Sequence, residues 1–476
     1  MKKPLLLSAL LSLTLGVGGY AQSQDSALID ALVRKKILTA KEAESIRADV
    51  VKENVSAEKI KLSGPLTELA LYGDVRERYQ WDNVDPQFDA KAPNGDPGHG
   101  NQRSRWRFRL RLNADFKLAD NWFGGVQLQT ANTSDSGNQT YDGGFQNYNI
   151  YISRAFVGWN AADWLTFIAG KQANPFYTTE LVWDPDINPS GLVEQVRFHK
   201  LFSVGGQEAE GYTKDGKSIA SSKAVVEESP WELTLNAGQF IFDDNNEYLA
   251  DSDSNTDAYL FVEQLQFSYK FSKDVKFTIA PAYLTYTASQ VNSVQNSQGF
   301  AQNVNGKDTD VPEGLGETRD LSIIQVPGDI TFNLAGQRIK LLWDSAYNTA
   351  GSKRVHDIYG VADHSSRDDL AFLAGFQIGE NKKKGDWSLL VNYRQVGLAA
   401  VDPNLNDSDF GLSRVNIRGW KGGVAYNFTD SVVLALTYMN ADNLRKNLVG
   451  GEATNDTKLA DANSVQVLQV DLNLKF

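Results

Sequence analysis

The sequence predicts an all-β protein, a transmembrane antiparallel β-barrel of about sixteen strands that follows a short N-terminal helical segment. Three observations predict this fold. Long stretches alternate apolar and polar residues, tight polar turns alternate with much longer polar segments, and the chain opens on a segment typical of secretion. Each of these observations is local, and together they indicate a closed sheet with one apolar and one polar face.

The clearest strand is the last one, from Leu468 to Phe476, in which every even position is apolar and every odd position is polar. A period of two gives a strand two unlike faces. The same alternation recurs in 259–271, 387–393 and 432–438. A barrel strand places its lipid-facing side chains at alternate positions, so no window of the sequence becomes hydrophobic as a whole.

Short and long connections alternate along the chain. Five tight turns are centred near Asp120, Asp163, Asp274, Asp386 and Asp430, where Asp and Asn side chains hydrogen-bond their own backbone. Long polar segments lie between them, near 81–102, 132–147, 174–190, 243–256, 288–320, 348–367, 399–414 and 441–462. This asymmetry is typical of a membrane barrel with short periplasmic turns and long external loops, and it disfavours a soluble sandwich. Segment 201–229 is long where a short turn is expected; it could hold an extra hairpin, which makes eighteen strands the alternative count.

The N-terminal region predicts two further segments. Two lysines, an apolar run from Leu5 to Val17 and small residues up to Ala21 indicate a cleaved signal peptide over 1–21. Residues 22–62 have a helical pattern, with a capping-box sequence from Thr39 to Glu42. We interpret 22–62 as a periplasmic packing or oligomerisation element, with a plug or a peptidoglycan-binding module as the alternative. The barrel is expected over 63–476.

Composition excludes several classes of function. The chain has no cysteine, so disulfides and thiolate chemistry are excluded. Its four histidines are far apart and lack metal-ligand spacing, so we expect no metal and no organic cofactor. The net charge of −12 argues against nucleic acid as a partner.

The segment 103–116 is the most unusual strand. Its even positions form an apolar face, and its odd positions carry a ladder of arginines. Arginine on the lipid face costs a few kcal/mol at the membrane midplane, so the ladder is expected to face water inside the barrel. Two arginines of the preceding strand have the matching parity. The predicted pore-lining residues are Arg76, Arg78, Arg103, Arg105, Arg107, Arg109 and Arg111. They either pair with lumen acids and keep the wall polar, or form an ion-selecting pore wall.

The third long segment, from Asn174 to Gly191, is the expected source of opposing acids. It carries Glu180, Asp184 and Asp186 together with three prolines, a phenylalanine and a tryptophan. Proline and aromatic content favours a loop with one fixed shape.

Five features together resemble the bacterial outer-membrane Putative porin family: the signal peptide, the segment LIDALVRKKILTAKEAE, the stretch GKQANPF, the stretch VWDPDINPSG and the terminal Phe476. The resemblance implies an outer-membrane porin, a water-filled channel for passive diffusion of small hydrophilic solutes and ions. It implies a third loop that folds into the barrel, with Glu180, Asp184 and Asp186 at a constriction that faces Arg105, Arg107 and Arg109. It also implies a homotrimer, contact with outer-membrane lipid, and Phe476 as the signal read by the barrel-assembly machinery.

Two other functions compete with a general porin, and a barrel with neither function is a third alternative. One is a channel specific for phosphate or another anion, which uses the same arginines and differs by saturable conductance. The other is an outer-membrane barrel enzyme, for which His364 with Asp363, Ser365 and Ser366 is the nearest candidate site. A purely structural or adhesive barrel would conduct no ions. We expect no enzyme, because neighbours in sequence rarely form a catalytic site.

Overall fold

The computed structural model describes Thr39 and residues 64–85, 101–131, 136–202, 229–243, 257–287, 318–359, 361–445 and 464–476. The predicted signal peptide and almost all of the predicted helical segment lie outside the described residues. Within these ranges the chain forms a closed antiparallel β-barrel of sixteen strands. The predicted fold class and the lower strand count are therefore confirmed.

The strands follow one another around the wall in chain order. They are β1 Leu66–Asp85, β2 Asn101–Leu118, β3 Trp122–Gln129, β4 Tyr151–Ala162, β5 Leu165–Lys171, β6 Ser190–Arg197, β7 Trp231–Asp243, β8 Ala258–Lys270, β9 Lys276–Ile279 with Ala282–Tyr286, β10 Ser322–Gln325 with Gly328–Leu334, β11 Gln337–Asn348, β12 Leu370–Gly379, β13 Trp387–Val396, β14 Ile417–Asn427, β15 Val432–Asn443 and β16 Ser464–Lys475. Two short α-helices, α1 Phe198–Leu201 and α2 Gly351–Asp357, lie in connections.

Closure comes from the first and last strands. β1 pairs with β16 from Asp74 opposite Lys475 to Asp85 opposite Ser464, and it pairs with β2 on its other edge. The final residue continues this pairing, because the backbone N–H and C=O of Phe476 exchange hydrogen bonds with those of Gly73 at 3.1 and 2.9 Å. A closed wall leaves no unpaired strand edge, which a membrane-spanning sheet requires.

Prolines interrupt two neighbouring strands. Pro281 and Pro327 have no backbone N–H to donate to the ladder, so β9 and β10 are each divided into two parts at those residues. The proline carbonyls still accept hydrogen bonds across the break, from Leu265 N at 3.0 Å and from Ala280 N at 2.9 Å. The wall therefore stays closed at both breaks.

The short connections include all five predicted turns. Asp120 and Asn121 adopt positive φ angles of 58° and 65° in the turn between β2 and β3, which these residues tolerate. A sixth tight turn lacks an aspartate: Ala335 and Gly336, with φ angles of 50° and 75°, join β10 to β11. β6 and β7 pair directly with each other, and segment 203–228, where an extra hairpin was the alternative, lies outside the described residues.

The two faces of the wall differ as the alternation predicts. Large apolar side chains such as Leu71, Trp106, Tyr259 and Trp420 are exposed on the outside. An apolar core lies on the inside, at the end where the long loops are. It joins inner-face residues of the strands, including Phe240 and Leu260, to residues of three long loops, 172–189, 349–369 and 397–416. Counted along the chain, 172–189 is the third connection at the long-loop end and is called the third loop below. The connection 397–416 is the seventh at that end and is called the seventh loop.

Candidate functional site

Six of the seven predicted arginines lie on the inner face of β1 and β2. The arginine wall consists of Arg76, Arg78, Arg105, Arg107, Arg109 and Arg111, all buried or half-buried, while Trp106 and Leu112 between them are exposed on the outer face. Arg103 is exposed, near the long-loop end of β2. The strand period places the six guanidinium groups on one face because they occupy alternate positions of two paired strands.

Four members of the wall pair with carboxylates of the strands. Arg78 makes a bidentate ion pair with Asp471 of β16, at 2.7 and 2.8 Å. Asp74 accepts hydrogen bonds from Arg109 at 2.9 Å and from Arg111 at 2.8 Å. The fourth is Arg105, whose Nη2 lies 3.1 Å from Asp82 Oδ2. These pairs offset part of the repulsion between neighbouring arginines.

The third loop approaches this wall through Asp186. Asp186 Oδ1 lies 3.5 Å from Arg109 Nη1 and 3.9 Å from Arg111 Nη1. The loop acids were expected to oppose Arg105, Arg107 and Arg109 as a group, but of the three loop acids only Asp186 makes an ion pair with the arginine wall in the described residues.

Glu180 instead contacts β13 and β14, and β14 is separated from β1 by two strands, β15 and β16. Its carboxylate accepts hydrogen bonds from Arg394 of β13 at 2.7 Å and from Lys421 of β14 at 2.5 Å. The reason is the course of the third loop, whose first half is bonded to strands far from β2: Tyr177 N donates to Gln264 of β8 and Thr179 Oγ1 donates to Asp344 of β11. Local sequence spacing could not assign Glu180 to partners more than two hundred residues away.

The seventh loop was not predicted to belong to the site, yet it supplies two more carboxylates. Asp407 binds Arg394 at 2.7 Å, and Asp409 lies 3.3 Å from Arg78. The guanidinium carbon of Arg394 also lies 4.3 Å from the ring centre of Phe410. The apolar run from Leu398 to Val401, fully buried here, was the sequence signal that this loop packs inside.

Asp184 connects the third loop to the seventh. Its Oδ2 accepts a hydrogen bond from Ser408 N at 2.8 Å, and its own N–H donates to Leu405 O at 2.6 Å. The two loops are thus joined by backbone groups as well as by their apolar residues, so they form one packed unit inside the barrel.

The loop carboxyls differ in acidity because their surroundings differ. Burial, and then the negative charge of Asp407, raises the pKa of Asp184 to about 8. Burial would also raise the pKa of Glu180, but the charges of Lys421 and Arg394 outweigh it and lower that pKa to about 2. Glu180 therefore keeps its charge to a much lower pH than Asp184 does.

A polar cavity of about 350 Å³ lies between the arginine wall and the two loops. Its charged lining residues are Arg76, Arg78, Arg109, Arg111, Lys421, Glu180, Asp184, Asp186, Asp407, Asp409 and Asp471. The arrangement places four of the five cations on β1 and β2 and five of the six carboxylates on the loops. Such an arrangement can orient water and polar solutes across the cavity.

The candidate enzyme site around His364 has other hydrogen bonds than those of a catalytic serine–histidine pair. His364 Nε2 lies 2.8 Å from Asp369, and Ser365 Oγ accepts a hydrogen bond from Arg367 N at 3.4 Å. A nucleophilic serine would need its hydroxyl hydrogen-bonded to the imidazole ring of the histidine.

Among the described residues, no group of three or more His, Asp or Glu side chains is arranged to hold a metal ion. No described helix is both long and apolar enough to cross a membrane.

Comparison with known proteins gives the family. The model of the family described as Putative porin matches residues 29–314 and 323–476. The chain is similar in structure to Salmonella typhi OmpF in complex with daunomycin, at 11% identity over 88% of this chain and 99% of that one, with a TM-score of 0.45. It is also similar to a loop L8 deletion mutant of OmpT, an outer membrane protein of Vibrio cholerae, at 11% identity, with 86% and 99% of the two chains covered and a TM-score of 0.42.

A third similar structure is the high-pH form of Pseudomonas putida OprB, at 9% identity, with 86% of this chain and 94% of that chain covered and a TM-score of 0.47. No curated protein matches the sequence. The family match covers most of the chain, and members of such porin families are typically channels without enzymatic activity. The chain therefore belongs to the Putative porin family and is a β-barrel channel of the outer membrane.

Proposed function

We propose that the protein is a porin whose water-filled path runs between the arginine wall and the joined third and seventh loops, and that small hydrophilic solutes and ions pass there by diffusion. The observation that carries this proposal is the opposition of Asp186 to Arg109 and Arg111 across 3.5 and 3.9 Å. A loop held that close to the wall narrows the interior at one level. Fixed charges at a narrow level determine which solutes enter.

The charge count supports weak ion selectivity rather than a strong preference for anions. The cavity is lined by five basic and six acidic side chains, and burial disfavours the charge of one of the acids, Asp184, by raising its pKa. Fixed charges of both signs are then nearly equal in number. The arginines alone would favour anions, but the loop carboxylates offset them.

A second candidate function is a channel with an anion site. It is favoured by Arg76 and Arg107, because all their described hydrogen-bond partners are neutral. Both arginines donate to Asn138, and Arg107 also donates to Gln80 and Ser136. The two candidates differ in kinetics, because conductance saturates with solute concentration only where a site binds the solute.

Several properties of the assembly belong to the same proposal. We propose cleavage after Ala21, a periplasmic helical segment over 22–62, and a homotrimer in the outer membrane. We also propose that Phe476 acts as the assembly signal. Its ring packs against the backbone at Gly73, where an added Cβ would lie 2.8 Å from the ring, so the end of β16 is closely fitted to β1.

The proposal is tested with purified protein in planar lipid bilayers. Single-channel conductance in potassium chloride and the reversal potential across a salt gradient are measured for wild type and for the combined variant Arg76→Ala, Arg109→Ala and Arg111→Ala. Wild type should conduct with weak selectivity, and the variant should shift toward cations.

The control for this experiment is Lys382→Ala, at an exposed turn position, which should leave both values unchanged. A wild-type protein without ion conductance would refute the channel. An unchanged reversal potential in the triple variant would remove the arginine wall from the conducting path.

A further inference from the structure

We propose that Arg76, which the amide oxygen of Asn138 holds in place, forms a binding site for a small oxyanion, either inorganic or the carboxylate of an organic solute, within the conducting path. This inference rests on the proposed function, because it assigns a ligand class to the same cavity. It adds a site whose arginine is positioned by a residue of the loop between β3 and β4, a segment that the sequence did not connect with the arginines.

The strand register leaves Arg76 without an acid on either neighbouring strand. Its cross-strand partners are Arg109 on β2 and Asn473 on β16. Arg78, two residues along the same face, instead stands opposite Asp471 and binds it. Like charges placed directly opposite each other on paired strands are unfavourable, so Arg76 and Arg109 repel each other.

A neutral amide occupies the place of the missing carboxylate. Asn138 Oδ1 accepts hydrogen bonds from Arg76 Nε at 3.1 Å and from Arg76 Nη2 at 2.5 Å. This is the edge of the guanidinium that a carboxylate ordinarily takes. In the described part of the chain, no carboxylate forms an ion pair with Arg76. Its charge is therefore left for a ligand from solution.

A second arginine fixes the segment that carries Asn138. After β3 ends at Gln129, the chain returns to the wall, and Gln139–Thr140 pairs with β2 at Arg107 and Phe108. Arg107 Nη2 donates to the carbonyl of Asn138 at 3.1 Å and to Ser136 Oγ at 3.3 Å. The charge of Arg107 also lacks a carboxylate partner among the described residues, so it adds to the positive potential behind the site.

The acids that line the same cavity limit the affinity without abolishing the site. Asp471 and Asp409 are both engaged by Arg78, and Asp186 faces Arg109 and Arg111. The arginine wall has six cations. The carboxylates that pair with it are five in number, Asp74, Asp82, Asp186, Asp409 and Asp471. One uncompensated positive charge fits a singly charged anion that binds weakly enough to leave again.

The sharpest test supplies the missing carboxylate from the protein itself. Asn138→Asp keeps the size of the side chain and gives Arg76 an internal counter-ion. Single-channel conductance is measured in bilayers as potassium chloride is raised, and again with increasing sodium phosphate or sodium acetate at constant chloride. Wild type should show saturating conductance and a concentration-dependent block by the oxyanions. Asn138→Asp should need roughly tenfold more oxyanion for the same block, as expected for cancelling one charge in a water-lined site.

Two variants complete the design. Arg76→Gln should lose the block in the same way, whereas Arg338→Gln, at an exposed arginine outside the wall that is paired with Glu380, should keep half-blocking concentrations within about twofold of wild type. An open wild-type channel without saturation or block would overturn the site while leaving the porin proposal intact. So would a block of equal strength in wild type and Asn138→Asp.

A direct readout separates the site from the channel. Crystals of the detergent-purified protein soaked in sodium bromide should give an anomalous peak beside Arg76 in wild type and none there in Asn138→Asp. That result would support the anion site even if the protein failed to conduct, which would refute only the proposed function. Absence of the wild-type peak would count against the site.

Discussion

Arg394 is the residue whose replacement should most clearly release the loops from the barrel wall. It is 1% exposed, and it binds Glu180 of the third loop and Asp407 of the seventh loop at 2.7 Å each. In Arg394→Met the side chain keeps most of its length and can still pack on Phe410, but both carboxylates lose their guanidinium. Lys421 would then be their remaining basic partner in these contacts, at 2.5 and 4.0 Å.

Removing one partner of a buried ion pair costs about 3–5 kcal/mol, because the other charge stays buried and uncompensated. Water reaches part of this site, since the side chain of Glu180 is 32% exposed, so we expect a smaller penalty of about 2 kcal/mol. A penalty of that size raises the ratio of undocked to docked loops roughly thirtyfold. The wall itself should stay intact because its backbone hydrogen bonds do not involve Arg394's side chain.

The assay is single-channel recording of wild type, Arg394→Met and Arg338→Met. Arg338 pairs with Glu380 at 3.4 Å, and both side chains are more than a third exposed, so its replacement should have little effect. Arg394→Met should show higher conductance and more open-channel noise. A variant channel with wild-type conductance and noise would show that the buried ion pairs do not hold the loops in place. This conclusion requires that the variant barrel is folded, which a shift of its gel mobility on boiling shows.

Three further predictions follow from other parts of the molecule. The pKa of Asp184 is raised to about 8 in the folded protein, so this carboxylate loses its charge as the pH falls through 8. Anion permeability, measured from the reversal potential, should therefore rise as the pH falls from 9 to 6. Asp184→Asn should remove that change. Deleting Phe476 should lower insertion into the outer membrane far more than Phe428→Ala, a change at an exposed aromatic on a short turn; equal levels would contradict its role in assembly. In cold detergent the wild-type barrel should stay folded and shift its gel mobility only on boiling, and a protein that runs unfolded without heating would contradict the closed wall.

The sequence predicted the barrel well because its evidence is local and repeated. Each of the eight connections at the long-loop end of the barrel falls where the sequence has a long polar segment, and the Asp turns lie at the opposite end. The sequence did not predict the tight turn at Ala335 and Gly336, because alanine is not a turn-forming residue and no Asn or Asp accompanies the glycine. The interruptions at Pro281 and Pro327 preserve the order of the strands, so they did not affect the count.

The site was harder to predict, because it depends on where long loops go once the barrel has closed. Parity alone placed the arginines on one face. It could not show that Glu180 would cross to Arg394 and Lys421, or that the seventh loop would bring Asp407 and Asp409 to the same cavity. Those contacts join residues separated by long stretches of chain. The buried run Leu398–Val401 in an otherwise polar segment was the available hint.

Solutes are proposed to pass through the cavity beside the contact of Asp186 with the arginine wall, and chemical labelling at position 186 shows whether they do. The chain has no cysteine, so Asp186→Cys introduces a unique thiol that a small, negatively charged methanethiosulfonate can modify from the water phase. Lys382→Cys, on an exposed turn outside the wall, is the matched control. Labelling at position 186 should reduce single-channel conductance by roughly half or more, because it adds bulk at the narrow level of the path, and labelling at 382 should not. Complete labelling at position 186, verified by mass spectrometry and without any change in conductance, would contradict the account.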